Sequence, residues 1–395
     1  MKPTLAPLNQ GRLQPLDMMR GLAILGILLV NIMNFQYGLL LLPDVHQYYP
    51  LGTIDQLTES ILYLFIRTSF YTLFAFLFGY GMVILQDRST LKEASFTGIF
   101  WRRAFFLFIL GILHRTYIWE GDILVTYAIA SFILFFFLFF KAKGLLISAI
   151  IFLGVMLLFI PPPGSGDVSE LQQQEDTMYQ YSLAEKEVLE NGTYLEVLEF
   201  RMTSDITGLG IFGDILMEIS TVIAVMGMFL LGAYFARKKW LDDIEGNLSL
   251  FKKIWWVTLF VGFGTKLPYA ISPTYFSEGL MLAIGGPFTA IFYVTSVILL
   301  SRTEKGAKLL HPLTYVGRLS LTNYLLQSIV FTTLFYGYGI GLFGQLGFFV
   351  GTCIAIVFFV LQVLVSKWWL SRFVIGPVEW FFRAVTYMIM PKFKK

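Results

Sequence analysis

FWRRAFFLFILGILHRTYIWEGDIL, residues 100–124, decides what kind of chain this is. It offers close to the ~20 apolar residues that cross a bilayer core, with Arg102 and Arg103 at its start and Glu120 and Asp122 at its end. Outward from it, similar runs fall at about 20–42, 60–85, 122–140, 144–161, 211–236, 251–271, 279–300, 319–337 and 343–366. The pattern predicts an all-α polytopic membrane protein with about ten transmembrane helices. Of 395 residues, 56% are hydrophobic and only 14% are charged, against roughly 25% charged in soluble domains. A soluble chain of this size would need at least two cores, each with too little polar surface to cover it.

Orientation follows from the short loops, because Lys and Arg accumulate on the cytoplasmic side. Lys2, Arg12 and Arg20 precede the first run, and alternate loops carry Arg88, Lys92, Arg102 and Arg103, then Lys141 and Lys143. Further on come Arg237, Lys238, Lys239, Lys252 and Lys253, then Arg302, Lys305, Lys308 and Arg318. The loops between them are acidic or neutral, with Asp44, Asp55 and Glu59 in the first and an acidic segment at 162–210. Both termini are therefore expected in the cytoplasm. The chain divides into a five-helix half (1–161) carrying Arg103 and His114, an extracytoplasmic segment (162–210), a second five-helix half (211–368) and an amphipathic C-terminal helix on the inner leaflet (369–395).

PPPGSG at 161–166 ends the fifth run, since proline cannot continue a helix. SLAEKEVLENGTYLEVLEF (182–200) then reads as an amphipathic helix or helix pair, with Leu183, Val188, Leu189, Leu195 and Leu198 as apolar contacts. It is either a lid over an outward-facing pocket or a solvated connector. The first run is longer than the core of a signal peptide and is expected to stay as a helix. A formal net charge of +3, with the basic residues in short clusters, excludes a nucleic-acid surface. Cys353 stands alone in an apolar run, where it is expected to pack. His46, His114 and His311 are too scattered for a metal site, and His46 and His311 are expected in solvated loops.

Ionisable groups inside the bilayer cost at least ~2.5–3.5 kcal/mol on insertion scales, so each is a candidate for function. Arg103 and His114 lie eleven positions apart; at 100° per residue they share a helix face, about 16 Å apart along the axis. Histidine titrates near neutrality and serves as general base or nucleophile. A basic group below it suits an anionic cofactor. Read structurally, Arg103 is one more inner-face arginine and His114 a helix end. Glu120 and Asp122 follow closely enough to orient His114. Arg20 and Asn31 repeat the eleven-residue spacing in the first run, with Asp17 and Asn34 nearby. Arg67 and Ser69 enter the second run at a depth similar to His114, where Arg67 is expected to pair with Asp122 or Glu120 or to bind a substrate anion. Asn323 and Gln327 share a face, as an interhelical seam or a cofactor contact. Gly285, Gly286 and Pro287 should bend the eighth span, as a cavity wall or a kink.

Several stretches together resemble the YeiB-like bacterial membrane proteins, a family known as a domain of unknown function. They are LDMMRGLAILGILLVNIMNF (16–35), FAFLFGYGM (74–82), RRAFFLFILGILHRTYIWEGDILVTYAI (102–129), VGRLSLTNYLLQSIVFTTLFYGYGIGLFG (316–344) and GPVEWFFR (376–383). That family resembles the transmembrane acyltransferase superfamily, which includes the family 3 O-acyltransferases and the heparan-glucosaminide N-acetyltransferases. The resemblance implies a plasma-membrane enzyme that moves an acyl group, acetyl by default, from cytoplasmic acyl-CoA to an extracytoplasmic hydroxyl or amine on a glycan, envelope polymer or small molecule. Arg103 and His114 match the family 3 spacing of an arginine, ten residues and a histidine. His114 would then be the base or acyl carrier, with Asp122 and Asn31 beside it. Arg103, Arg20, Arg318, Asn323 and Gln327 would face the donor, and Arg67, Asn34 and Glu120 the acceptor. No metal is implied, and no second catalytic acid is matched. A transporter of a small polar solute or lipid is the main rival, and a scaffold or sensor the third. The bilayer is the one partner common to all three, and self-association is left open.

Overall fold

A computed structural model describes residues 13–38, 49, 51–91, 93–163 and 168–395, with the side chains of 168–176 outside the description. The expectations for Lys2, Arg12, Asp44, His46 and Lys92 fall outside it. The described chain is helical almost throughout. In order the helices are α1 (Gln14–Tyr37), α2 (Thr53–Ile61), α3 (Ser69–Leu91), α4 (Phe96–Tyr117), α5 (Leu124–Phe137), α6 (Ala142–Leu157), α7 (Val168–Asn191) and α8 (Tyr194–Thr203). Then come α9 (Ile211–Arg237), α10 (Leu248–Ile271), α11 (Tyr275–Leu280), α12 (Gly286–Ser301), α13 (Glu304–Arg318), α14 (Ser320–Phe335), α15 (Phe348–Arg372) and α16 (Pro377–Tyr387).

Every expected run contains helix, but they are unequal. Seven segments are long and apolar enough to cross a membrane: α1, the α2–α3 unit, α4, α9, α10, the α11–α12 unit and α15. The other three runs form α5 with 14 residues and α6 and α14 with 16 each. Those lengths reach about 21–24 Å, short of a ~30 Å hydrocarbon core. Among the described residues the all-α polytopic architecture is thus as expected, with seven of the ten expected runs in full-length segments and three in shorter helices. For α5 the reason is local: residues 118–123 form a turn that carries Asp122 back toward His114, so the helix starts late.

A large apolar belt confirms a multi-pass membrane protein. On α4, Phe105, Ile109, Ile112 and Leu113 are exposed while Phe100, Ala104, Leu107, Gly111 and His114 are buried, so one stripe faces protein and the rest faces lipid. On α15, Val357, Val360, Leu361 and Leu364 are likewise exposed. Cys353 is exposed on the same helix, which corrects the expectation that it packs. α1 is the hub and touches α3, α12, α13, α14 and α15.

Two of the membrane segments are broken, and the breaks face each other. Between α2 and α3 the chain makes a π turn at Leu62–Ile66, after which Thr68 takes a left-handed φ of 66°. Between α11 and α12 a second π turn spans Met281–Gly285, so the expected bend at Gly285, Gly286 and Pro287 is a kink outside the cavity wall. Backbone groups freed inside a membrane need partners. Lys266 Nζ donates to Arg67 O at 2.8 Å, and Tyr293 hydroxyl donates to Phe65 O at 2.7 Å.

Further differences are local. His311 is exposed but lies on α13 rather than in a loop. α15 continues past 368 to Arg372, and the C-terminal helix itself is Pro377–Tyr387. The segment after α6 is a helix pair, in which Leu189 and Val197 are buried but Leu195 is exposed.

α3 and α9 cross closely because small residues meet backbone, a common device between membrane helices. A Cβ on Gly79 would lie 1.8 Å from Phe229 O, and one on Gly232 would lie 1.9 Å from Phe76 O. Gly79→Ala is expected to cost about 1–3 kcal/mol by overpacking and to lower the melting temperature of the detergent-solubilised protein. Gly154→Ala, where a Cβ meets nothing within 4 Å, should be neutral or slightly stabilising by helix propensity. Equal melting temperatures for the two variants would refute the close-crossing account.

Candidate active site

The site begins with the turn between α4 and α5. Gly111 lets the two helices meet, since a Cβ there would lie 2.6 Å from Val125 N. Asp122 Oδ2 accepts from Val125 N at 3.0 Å and so caps α5, while Oδ1 lies 2.8 Å from His114 Nδ1. Both side chains are completely buried. An ionised Asp122 accepts only, so Nδ1 carries the proton and Nε2 is left as the basic nitrogen. Among the described residues no group pairs with Nε2. Asp122 thus does what was expected of it, whereas Glu120 points elsewhere and accepts from Arg201 Nε at 2.8 Å.

Against this dyad lies Tyr324 of α14, with its ring 5.3 Å from that of His114 and its hydroxyl donating to Asp122 Oδ1 at 3.5 Å. Tyr324 also lines a cavity of about 340 Å³, as do Ile123 and Leu124, the residues following Asp122. The cavity runs between α1, α3, α4, α14 and α16; His114 and Asp122 are not in its lining, and Tyr324 is the residue that both lines it and touches the dyad. Five arginines line it, Arg20, Arg88, Arg103, Arg318 and Arg383, against two carboxylates, Asp17 and Glu379. Arg20 donates to Asp17 at 3.3 Å. Arg103 has no carboxylate partner among the described residues; its guanidinium lies over Phe382 at 4.6 Å. The apolar part of the lining comes from residues such as Ile24, Ile27, Leu77 and Phe78.

The C-terminal helix belongs to this cavity and does more than anchor. Glu379 Oε1 accepts from Leu321 N at 2.8 Å and Thr322 N at 3.0 Å, which caps α14. Arg102 Nε donates to Thr386 O at 2.8 Å and ties α16 to α4. Glu379 and Arg383, four apart in GPVEWFFR, were not singled out in the sequence. Their i, i+4 spacing on one face was the available signal.

Other expected site residues lie elsewhere. Arg67 pairs with Glu278 at 3.0 Å and Tyr269 at 3.1 Å, not with Asp122 or Glu120. Its partner is supplied by α11, which sequence spacing does not reveal. Asn323 and Gln327 are corrected to a seam with α15: Gln327 Nε2 donates to Gln362 Oε1 at 2.8 Å and Asn323 Nδ2 to Ser366 Oγ at 3.1 Å. Neither lines the cavity, nor do Asn31 and Asn34, which are half-buried on α1. Lys266 went unnoticed in its apolar run and is wholly buried, donating to Ser69 Oγ at 2.9 Å. Among the described residues no group of His, Cys, Asp and Glu is placed to hold a metal ion.

The fold and site define a polytopic membrane protein with a buried His–Asp dyad and an arginine-lined cavity that share Tyr324 as a neighbour. The family described as "Protein of unknown function (DUF418)" matches residues 235–389. The chain is 34% identical to the uncharacterized protein YxaH of Bacillus subtilis, over 98% of this chain and 96% of that one. It is 30% identical to the uncharacterized protein YeiB of Escherichia coli, over 94% and 95% of the two chains. It belongs to this YeiB-like DUF418 family of membrane proteins. No solved structure matches the chain.

Burial raises the Glu379 carboxyl above the ordinary range, against the pull of its α14 donors. Folding then takes up a proton there, so stability should fall as pH rises from the usual glutamate pKa through the raised one. Chemical denaturation of wild type and Glu379→Gln across that interval should show a shallower slope in the variant. Identical slopes would remove Glu379 as the cause.

Proposed function

We propose that the chain is an acyltransferase of the bacterial plasma membrane, which takes an acyl group, acetyl by default, from cytoplasmic acyl-CoA and passes it to a hydroxyl or amine on the other side. The observation that carries this reading is one cavity lined by five arginines against two carboxylates, with Tyr324, which touches the His114–Asp122 dyad, in the same lining. Arginine forks recognise phosphate oxygens, and coenzyme A is rich in them. The apolar lining between Arg103 and Tyr324 suits the uncharged arm of such a donor, and the cavity lies within the ~300–1,000 Å³ of ordinary ligand pockets.

In this scheme the arginines hold the donor's phosphates at one end while its thioester is presented at Tyr324. His114 Nε2 accepts the proton of the acceptor hydroxyl or amine as that group attacks the thioester carbonyl; the C–S bond then breaks, and the imidazolium returns the proton to the departing coenzyme A thiolate. Asp122 keeps Nδ1 protonated, fixes the ring and stabilises the imidazolium that forms. General-base help of this kind is worth about 10²–10⁴ in rate. Burial excludes water and so suppresses loss of the acyl group by hydrolysis.

His114→Ala should lower transfer of labelled acetyl by at least ~100-fold while coenzyme A still raises the melting temperature. Arg103→Gln with Arg383→Gln should instead weaken that stabilisation and raise KM for the donor. Normal transfer by His114→Ala would sink the mechanism. Solute uptake into proteoliposomes without any acyl donor would favour transport instead.

A further inference from the structure

At the opposite end of the bundle from the arginine cavity, α7 and α8 close over a second polar cluster that the transfer scheme leaves unused. Arg201 of α8 has a side chain only 3% exposed, and its Nε is bound to Glu120 Oε2. Its Nη1 and Nη2 are both buried with no partner among the described residues. The guanidinium lies 5.8 Å from the centre of the Tyr336 ring, and the Tyr336 hydroxyl is also buried and unpartnered. Glu120 Oε1 is in the same condition. Tyr181 of α7 lies within electrostatic reach of Glu120, Arg201 and Glu185, and Tyr181 and Glu185 are both buried. Tyr181 in turn lines an open depression with Gln180, Phe200, Ser204 and Asp205, so the cluster has a surface approach.

Each orphaned buried polar group costs about 1–3 kcal/mol, and here donors and acceptors are left over together. The two Nη groups of an arginine already bound through Nε form the fork that takes carboxylate or phosphate bidentately. The Tyr336 hydroxyl adds a third donor. Glu120 Oε1 is an acceptor for an ammonium or hydroxyl. Orphaned donors on Arg201 and Tyr336 thus share a cluster with an orphaned acceptor on Glu120, and an occupant bringing an anion alone would leave Glu120 Oε1 unmet. One that also brings an ammonium satisfies both kinds of group.

We infer that this cluster is a binding site for a zwitterion, with its phosphate or carboxylate on Arg201 and Tyr336 and its ammonium on Glu120. The occupant's role as acyl acceptor rests on the transferase reading; its binding does not.

The test uses the full chain in detergent without an acyl donor. Phosphorylethanolamine, β-alanine, inorganic phosphate and ethylamine are titrated calorimetrically. At least one zwitterion should bind roughly tenfold tighter than phosphate or ethylamine, and the preferred one identifies the oxyanion as phosphate or carboxylate. Tyr336→Phe should weaken that binding about tenfold without lowering the melting temperature, because the hydroxyl has no protein partner to lose. Arg201→Gln should abolish it, and Arg201→Lys should not restore it. His114→Ala should bind the zwitterion normally, which separates this result from any failure of acetyl transfer. Absence of zwitterion binding, binding unchanged in Tyr336→Phe, or phosphate bound as tightly as the zwitterions would each overturn the proposal.

Discussion

The carboxylate of Asp122 is held from two directions, by the imidazole of His114 and by the backbone N–H that opens α5. A buried pair of this kind is stable only when its remaining bonding capacity is met and its geometry is fixed. Much of the surrounding structure serves that requirement. α4 and α5 touch at Gly111, α5 gives up a turn of length to return Asp122 to His114, and Tyr324 covers both from α14. The result is a buried imidazole with one nitrogen committed to Asp122 and the other without a hydrogen-bond partner among the described residues.

Charge is distributed differently at the two ends of the bundle. At the end that carries His114, each arginine has its own carboxylate: Arg67 with Glu278, Arg115 with Glu218 and Arg201 with Glu120. At the other end five arginines share a cavity with two carboxylates. Balanced pairs in a low-dielectric setting mainly fasten helices, whereas an unbalanced set attracts a polyanion. The contrast is one of local charge balance, which residue type and depth alone do not reveal.

The sequence revealed what is periodic along one helix and little of what joins different helices. Arg103 and His114 were placed on one face by their spacing alone, and both do face the bundle interior. Asp122 was within reach by simple proximity along the chain. Arg67 went astray because its partner, Glu278, lies more than two hundred residues away on a helix packed beside it. Asn323 and Gln327 were seen to share a face, but whether that face met a cavity or α15 depended on packing. Glu379 and Arg383 were obscured because an amphipathic helix at the end of a membrane chain reads first as an anchor. The short helices were overestimated because hydropathy does not register where a chain turns inside the apolar zone.

Glu379 caps α14 while Phe382, three residues on, supports Arg103. A stretch of fewer than a dozen residues thus closes one wall of the cavity and completes the end of a helix that reaches the dyad. The shape of a cavity deep among membrane helices therefore depends on a helix that is too short to cross the membrane itself.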